Sequence, residues 1–307
     1  MRLAVTGANG FVGRHLVAVA ASRGFEVDGV VRSKEAARVA ILAGAHPVIV
    51  PGLEAGALAR AFKGARAVVH LAQIGAERGG ATCAAVNVEG TRAVIAAAKA
   101  SGVGRIVFLS GLGVTRYGMS RRCTNPYFLS KLTAEGELYR SGLEVAVFRP
   151  SYILGPGSEL IPRLVKEIAG GEVERVADGL YRMQPIAVKD VALAILAALE
   201  LTRSPAVFDL VGPEPITYQA CIERVARLAN EQGLAGSYRI REIPVEEAER
   251  QAAAGGYRGM LPDELDCLLC DEVADHRPLE ALLGRFLTPV DDAISAVVRA
   301  QRAPPQA

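Results

Sequence analysis

Hydrophobic positions along the chain fall into two alternating kinds of segment. Short, largely apolar runs at Leu3–Val5, Glu26–Val31, Pro47–Val50, Ala67–Leu71, Ile106–Ser110 and Val145–Phe148 read as strands buried on both faces. Between them, Phe11–Ser22, Lys34–Ala43, Leu58–Phe62, Cys83–Ala100 and Tyr127–Tyr139 repeat apolar residues at helical spacing, with Gly24 placed to cap the first helix. Buried strands alternating with helices predict an α/β fold built on a doubly wound parallel sheet.

Beyond Pro150 the pattern changes. Gly155-Pro-Gly157 breaks the chain, Leu160–Ala169 is helical, and Val173–Met183 reads as a hairpin. Asp190–Leu201 returns to helix and Val207–Val211 to strand, a seventh strand for the same sheet. Gln219–Asn230, Val245–Ala254 and Val290–Ala300 are further helices, before a frayed Pro304-Pro-Gln-Ala307 tail. The expected organisation is a core over residues 1–150 and a smaller C-terminal lobe over 151–307, with about 185–211 returning to the core sheet.

Composition narrows the class. Of 307 residues half are apolar and 22% charged, a globular balance, and the net charge of +2 comes from scattered basic residues. That gives no argument for nucleic acid or an anionic membrane surface. The longest apolar helical run, Val191–Leu199, is too short to span a bilayer, and no leader is expected ahead of the first strand. Five cysteines, Cys83, Cys123, Cys221, Cys267 and Cys270, make no even disulfide framework, so reduced thiols and a cytoplasmic location are expected. Cys267-Leu-Leu-Cys270 has metal-site spacing but no second pair and only His276 nearby. It reads as helix packing, and no metal is expected.

The first strand breaks into three glycines, Gly7, Gly10 and Gly13, and then into a helix. Strand, glycine turn and helix form a cradle for a dinucleotide pyrophosphate. The first glycine allows a tight turn, the second admits phosphate to bare backbone, and the third lets helix pack on strand. At the end of the second strand, where a carboxylate would bind the ribose hydroxyls of NAD, the chain has Arg32, with Ser33 and Lys34 after it. An arginine there pairs with the 2′-phosphate of NADP, unless it is simply a solvated strand-end charge. Asp28 lies too early in its strand to reach the ribose. Farther on, Asn125-Pro-Tyr-Phe-Leu-Ser-Lys131 sets Tyr127 and Lys131 one turn apart on one helix face, where a lysine ammonium favours phenolate and suits the tyrosine to acid/base work.

Five segments taken in order carry a family resemblance: Thr6-Gly-Ala-Asn-Gly-Phe-Val-Gly13, Val69-His-Leu-Ala72, Asn87-Val-Glu-Gly-Thr91, Tyr127 with Lys131, and Arg149-Pro-Ser-Tyr-Ile-Leu-Gly-Pro-Gly157. Over about residues 1–215 the chain resembles the extended and atypical short-chain dehydrogenases/reductases, which include nucleotide-sugar epimerases and dehydratases; Ile186–Val191 resembles a further segment of that family. The resemblance implies Tyr127 as acid/base, Lys131 as its partner and Asn87 as a structural or proton-relay residue. For Asn87 a helix-capping role is the alternative. It also implies a cofactor lined by Gly7, Asn9, Gly10, Phe11, Val12 and Gly13, with Leu71, Ala72, Pro150 and Ile153 near adenosine and nicotinamide, and pairing of two copies through helices beside the sixth strand.

Two departures stand out. The Ser or Thr that the family places after strand five falls at Gly111, with Ser110 one residue early, either serving after a loop shift or simply buried and satisfied. Pro51-Gly52-Leu53 stands where an acidic residue usually approaches adenine. Ser110-Gly-Leu-Gly113, Phe148-Arg-Pro150 and, loosely, Asp275–Pro289 resemble the branch holding the NAD(P)H-binding accessory subunit of respiratory complex I. Arg78, Arg116, Arg121 and Arg122 are candidate anion contacts for a small-molecule substrate or else solvated loop charges; Tyr152 and Met183 line a pocket or pack the core. The expected activity is an NADP-dependent interconversion of carbonyl and alcohol. A nucleotide-sugar epimerase or dehydratase with tightly bound NAD(P), and a non-catalytic nucleotide-binding accessory or sensor protein, are the alternatives.

Overall fold

Seven parallel strands, with the chain reversing direction across the sheet beside the first of them, frame one of two compact units. The computed structural model describes residues 1–119, 122 and 124–301; Arg121, Cys123 and the Pro304–Ala307 tail lie outside the described residues. In chain order the first unit runs β1 (Arg2–Thr6), α1 (Phe11–Ser22), β2 (Glu26–Val31), α2 (Lys34–Leu42), β3 (His46–Ile49), α3 (Ala55–Ala61), β4 (Ala67–His70), α4 (Gly90–Ser101), β5 (Arg105–Leu109), α5 (Pro126–Tyr139) and β6 (Glu144–Pro150). The second unit contributes β7 (Ile153–Leu154), α6 (Leu160–Ala169), β8 (Glu172–Val176), β9 (Arg182–Met183) and β10 (Ile186–Ala187). The chain returns to the first unit with α7 (Val188–Ala197) and β11 (Ala206–Leu210), and leaves it again for β12 (Ile216–Thr217), α8 (Tyr218–Glu231), β13 (Arg239–Ile243), α9 (Val245–Ala253) and α10 (Pro262–Leu268). A second return, α11 (Arg277–Leu283), precedes α12 (Val290–Ala300).

The sheet order is β11-β6-β5-β4-β1-β2-β3. Connections from β1 run outward one way and those from β4 the other, which makes the carboxyl ends of these two strands, where Thr6 and His70 are register partners, the topological switch point of the sheet. Strand residues alternate between two apolar layers. Ala4, Val68, Ile106, Phe108, Val145 and Val147 pack with residues of α3, α4 and α5; on the other face α1 packs on α7 and α7 on α11. Helix α1 ends as its sequence demands. Gly24 takes φ +79°, and the N–H groups of Gly24 and Phe25 reach back to Ala21 and Ala20.

The strand expected over Val207–Val211 pairs in parallel with β6. Two expectations are corrected. Val173–Met183 is no hairpin: β8 pairs in parallel with β13 and β9 antiparallel with β12, because both partners come from segments distant in sequence. The helix expected over Cys83–Ala100 opens as a π-helical run, Ala84–Glu89, before α4. The second unit has its own core, in which α6, α8 and α12 contribute Ile161, Leu164, Ile222, Val225, Ile294 and Val297. Among the described residues, no helix is long and apolar enough to cross a membrane.

Gly13 is the tightest point of the first turn. A Cβ there would lie 2.2 Å from the carbonyl oxygen of Gly7. Gly13→Ala is expected to cost about 1–3 kcal/mol through backbone overpacking, read by chemical denaturation; an unchanged midpoint would contradict the packing described.

Candidate active site

The glycine turn presents bare backbone. Gly7 adopts φ +71°, and a Cβ on it would meet the backbone nitrogen of Ala72 at 2.9 Å, so the loops after β1 and β4 run against each other. Gly10 is the N-cap of α1, offers no side-chain cap, and the first turn carries no acidic residue. The early N–H groups and positive dipole end of α1 are therefore left for an anion, as a dinucleotide pyrophosphate requires. The cradle that a Cβ would fill and the uncapped helix both fit that group. Asn9 belongs to this turn, Phe11 and Val12 open α1 directly after it, and Leu71 and Ala72 run against Gly7 from the other side.

Beneath the turn lies a chain of buried polar groups. Thr91 donates its hydroxyl hydrogen to the carbonyl of Asn87 at 2.6 Å, which leaves its oxygen to accept from His70 Nε2 at 3.2 Å. The imidazole therefore carries its proton on Nε2, and Nδ1 accepts from the Thr6 hydroxyl at 2.7 Å. Thr6 Oγ1 in turn accepts from the N–H of Ala72. Burial, with the charge of Lys131 nearby, lowers the His70 pKa to about 3, so the ring stays neutral.

Asn87 continues the chain. It lies inside the π-helical run, so the capping role is corrected. Its amide oxygen accepts from Ile74 N–H at 2.9 Å, and its amide nitrogen donates to the Ile74 carbonyl and to Ser130 Oγ. Ser130 donates to the carbonyl of Tyr127. From this π-helical run the side chain is bonded both to the loop after β4 and to α5.

Helix α5 starts at Pro126, with the Asn125 side chain accepting from Phe128 N–H. That start sets Tyr127 half-buried and, one turn on, Lys131 only 1% exposed. Lys131 Nζ donates to Gln73 Oε1 at 2.5 Å and sits 4.2 Å from the centre of the Phe108 ring. Burial pulls its pKa from 10.5 to about 7, opposed by the nearby Glu135 and Cys83. Between those values the unfolded chain binds the proton the folded lysine has given up, so this group makes folding more favourable as pH rises through that window. Farther along α5, buried Glu135 accepts both arms of Arg149 and the Tyr139 hydroxyl, tying the helix to β6.

Ser110 is 1% exposed, and its hydroxyl has no hydrogen-bond partner among the described residues. The residue turned toward the tyrosine is Gly111: a Cβ there would stand 3.4 Å from the Tyr127 hydroxyl, at an ordinary extended φ of −151°. Gly113 is glycine for a different reason, since the Phe128 ring occupies the place of its Cβ. Arg32 is exposed just past β2 and Ser33 caps α2, while Asp28 is bound to Arg2 in an ion pair. Leu53 packs against the core and Gly90. Pro150 closes β6, while Ile153, in the second unit, pairs with Ile186. Met183 is in that unit's core, with Tyr152 packed on it and bonded to the carbonyl of Cys267. Gln73, His70, Thr6 and Ser130 are the polar residues that sequence reasoning left without a role.

A parallel sheet with this switch point and glycine turn is the fold of the extended short-chain dehydrogenases/reductases, which are NAD(P)-dependent oxidoreductases and epimerases. The chain belongs to the NAD dependent epimerase/dehydratase family, whose profile matches residues 3–210. It is 27% identical over 310 residues to a 4-hydroxy-2-methyl-3-oxo-4-farnesyl-3,4-dihydroquinoline-1-oxide ketoreductase of Stigmatella aurantiaca, covering 95% of this chain and 89% of that protein. With a 2-alkyl-3-oxoalkanoate reductase of Stenotrophomonas maltophilia it shares 30% identity over 218 residues, 65% of this chain and 66% of the other. The solved structure of MoeE5 in complex with UDP-glucuronic acid and NAD superposes with a TM-score of 0.75 at 22% identity, covering 98% of this chain and 99% of that one, a likeness of fold.

Proposed function

We propose that the protein is an NADP-dependent reductase that interconverts a ketone and a secondary alcohol. The observation that carries this reading is the pairing of half-buried Tyr127 with buried Lys131 on one face of α5. When bound, the reduced nicotinamide supplies the hydride. Tyr127 gives its hydroxyl proton to the ketone oxygen during reduction and takes it back during oxidation. Lys131, charged, lowers the cost of the phenolate and offers its remaining N–H groups to the nicotinamide ribose. The backbone of Gly7 to Gly13 holds the pyrophosphate, and Arg32 pairs with the 2′-phosphate. The two relatives described above are named as reductases of 3-oxo compounds, one farnesyl- and one alkyl-substituted, which supports a ketone beside an apolar chain as the substrate class. Gly111 favours a second reading, nucleotide binding without turnover, since a glycine at that position supplies no hydroxyl to the substrate oxygen.

Three substitutions separate these readings, with a 2-alkyl-3-oxoalkanoate as the probe. Tyr127→Phe is expected to lower kcat by about 10²- to 10⁴-fold while leaving NADPH affinity nearly unchanged; full activity in the Phe variant would remove the tyrosine from the mechanism. Gly111→Ser, at a backbone conformation serine adopts freely, is expected to raise kcat by giving the ketone oxygen a second donor, and a loss of activity on that change would count against the placement. Arg32→Asp is expected to invert the preference toward NADH, measured as the ratio of the two dissociation constants. An unchanged ratio would leave Arg32 a solvated charge.

A further inference from the structure

Gln73 follows directly on the Val69-His-Leu-Ala72 segment and is exposed, yet its amide oxygen accepts a 2.5 Å hydrogen bond from the ammonium of buried Lys131. Among the described residues this oxygen is the lysine's sole hydrogen-bond acceptor, and Nζ also stands over the Phe108 ring, 4.2 Å from its centre. The backbone under Gln73 is anchored on both sides. Ala72 N–H is bonded to Thr6 Oγ1, and both the N–H and the carbonyl of Ile74 are bonded to the Asn87 side chain. The same Asn87 amide donates to Ser130, the residue before Lys131. One side chain thus fixes the loop that presents the acceptor and the helix that presents the ammonium.

We propose that Gln73 is the positioning residue of Lys131, an acceptor on an anchored loop that pins the ammonium beside Tyr127 and the bound nucleotide. The proposal rests on the reading of Lys131 as the partner of that tyrosine. Among the described residues, the charged and titratable groups around the lysine are Glu135 one turn along α5, Cys83 ahead of the π-helical run, neutral His70 on β4, and Tyr127 one turn back. Glu135 is already engaged by Arg149 and Tyr139, so Gln73 is the direct partner of the ammonium. A neutral amide steadies the charged form without adding a countercharge, and leaves the proton of a buried lysine readily exchanged near neutral pH.

The test is the titration of Lys131 itself in protein carrying 13C-labelled lysine, its Cε resonance assigned by loss in Lys131→Met. Wild type, Gln73→Ala and Gln73→Glu are compared, with NADPH affinity measured by fluorescence across the same pH range. Removing the acceptor in Gln73→Ala is expected to lower the midpoint, and the isosteric carboxylate of Gln73→Glu to raise it by about one pH unit or more. The pH at which NADPH affinity is lost is expected to follow in the same direction. Identical Lys131 midpoints in the three proteins would overturn the proposal. Shifted midpoints in a protein that binds no NADPH would uphold the contact and overturn the functional reading instead.

Discussion

Two loops meet backbone to backbone at the carboxyl ends of β1 and β4, and the polar groups caught beneath them have to be satisfied inside the protein. A buried donor or acceptor left without a partner costs about 1–3 kcal/mol, so such a junction persists only where each group finds one. Here the partners are Thr6, His70, Thr91 and Asn87, bonded in series from the glycine turn to the helix that carries Tyr127 and Lys131. A histidine serves because its neutral ring donates at one nitrogen and accepts at the other, and burial keeps it neutral.

On the proposed reading, this arrangement links the cofactor side of the site to its acid/base side. The loop that runs against the glycine turn also carries Gln73, and Asn87 is bonded to both that loop and α5. Lys131 is buried and bonded to Gln73, and burial lowers its pKa to about 7, a state that a surface lysine does not reach. The hydroxyl of Ser110 stays out of this network, and the place beside the tyrosine is held by Gly111.

Much of the architecture was legible because it rests on local rules. Phe11–Ser22, Glu26–Val31 and Val290–Ala300 match their elements end to end, since an apolar period and a glycine or proline boundary decide each one. Tyr127 and Lys131 could be placed on one helix face from spacing alone. What was not legible depends on contacts distant in sequence. The partners of β8 and β9 lie tens of residues away, and no local pattern announces the π turn that redirects Asn87. Gln73 gave no signal at all, because an exposed glutamine in a loop looks ordinary until the lysine reaches it.

Isotope transfer would show whether this site moves hydride with Tyr127 managing the proton. NADPH deuterated at the transferable position would be incubated with the protein and a metabolite extract, and products examined by mass spectrometry. Deuterium is expected on the alcohol carbon of a product that is absent with Tyr127→Phe. Demonstrable NADPH binding with no deuterium in any product would contradict the proposed hydride transfer and leave a nucleotide-binding protein without net redox turnover.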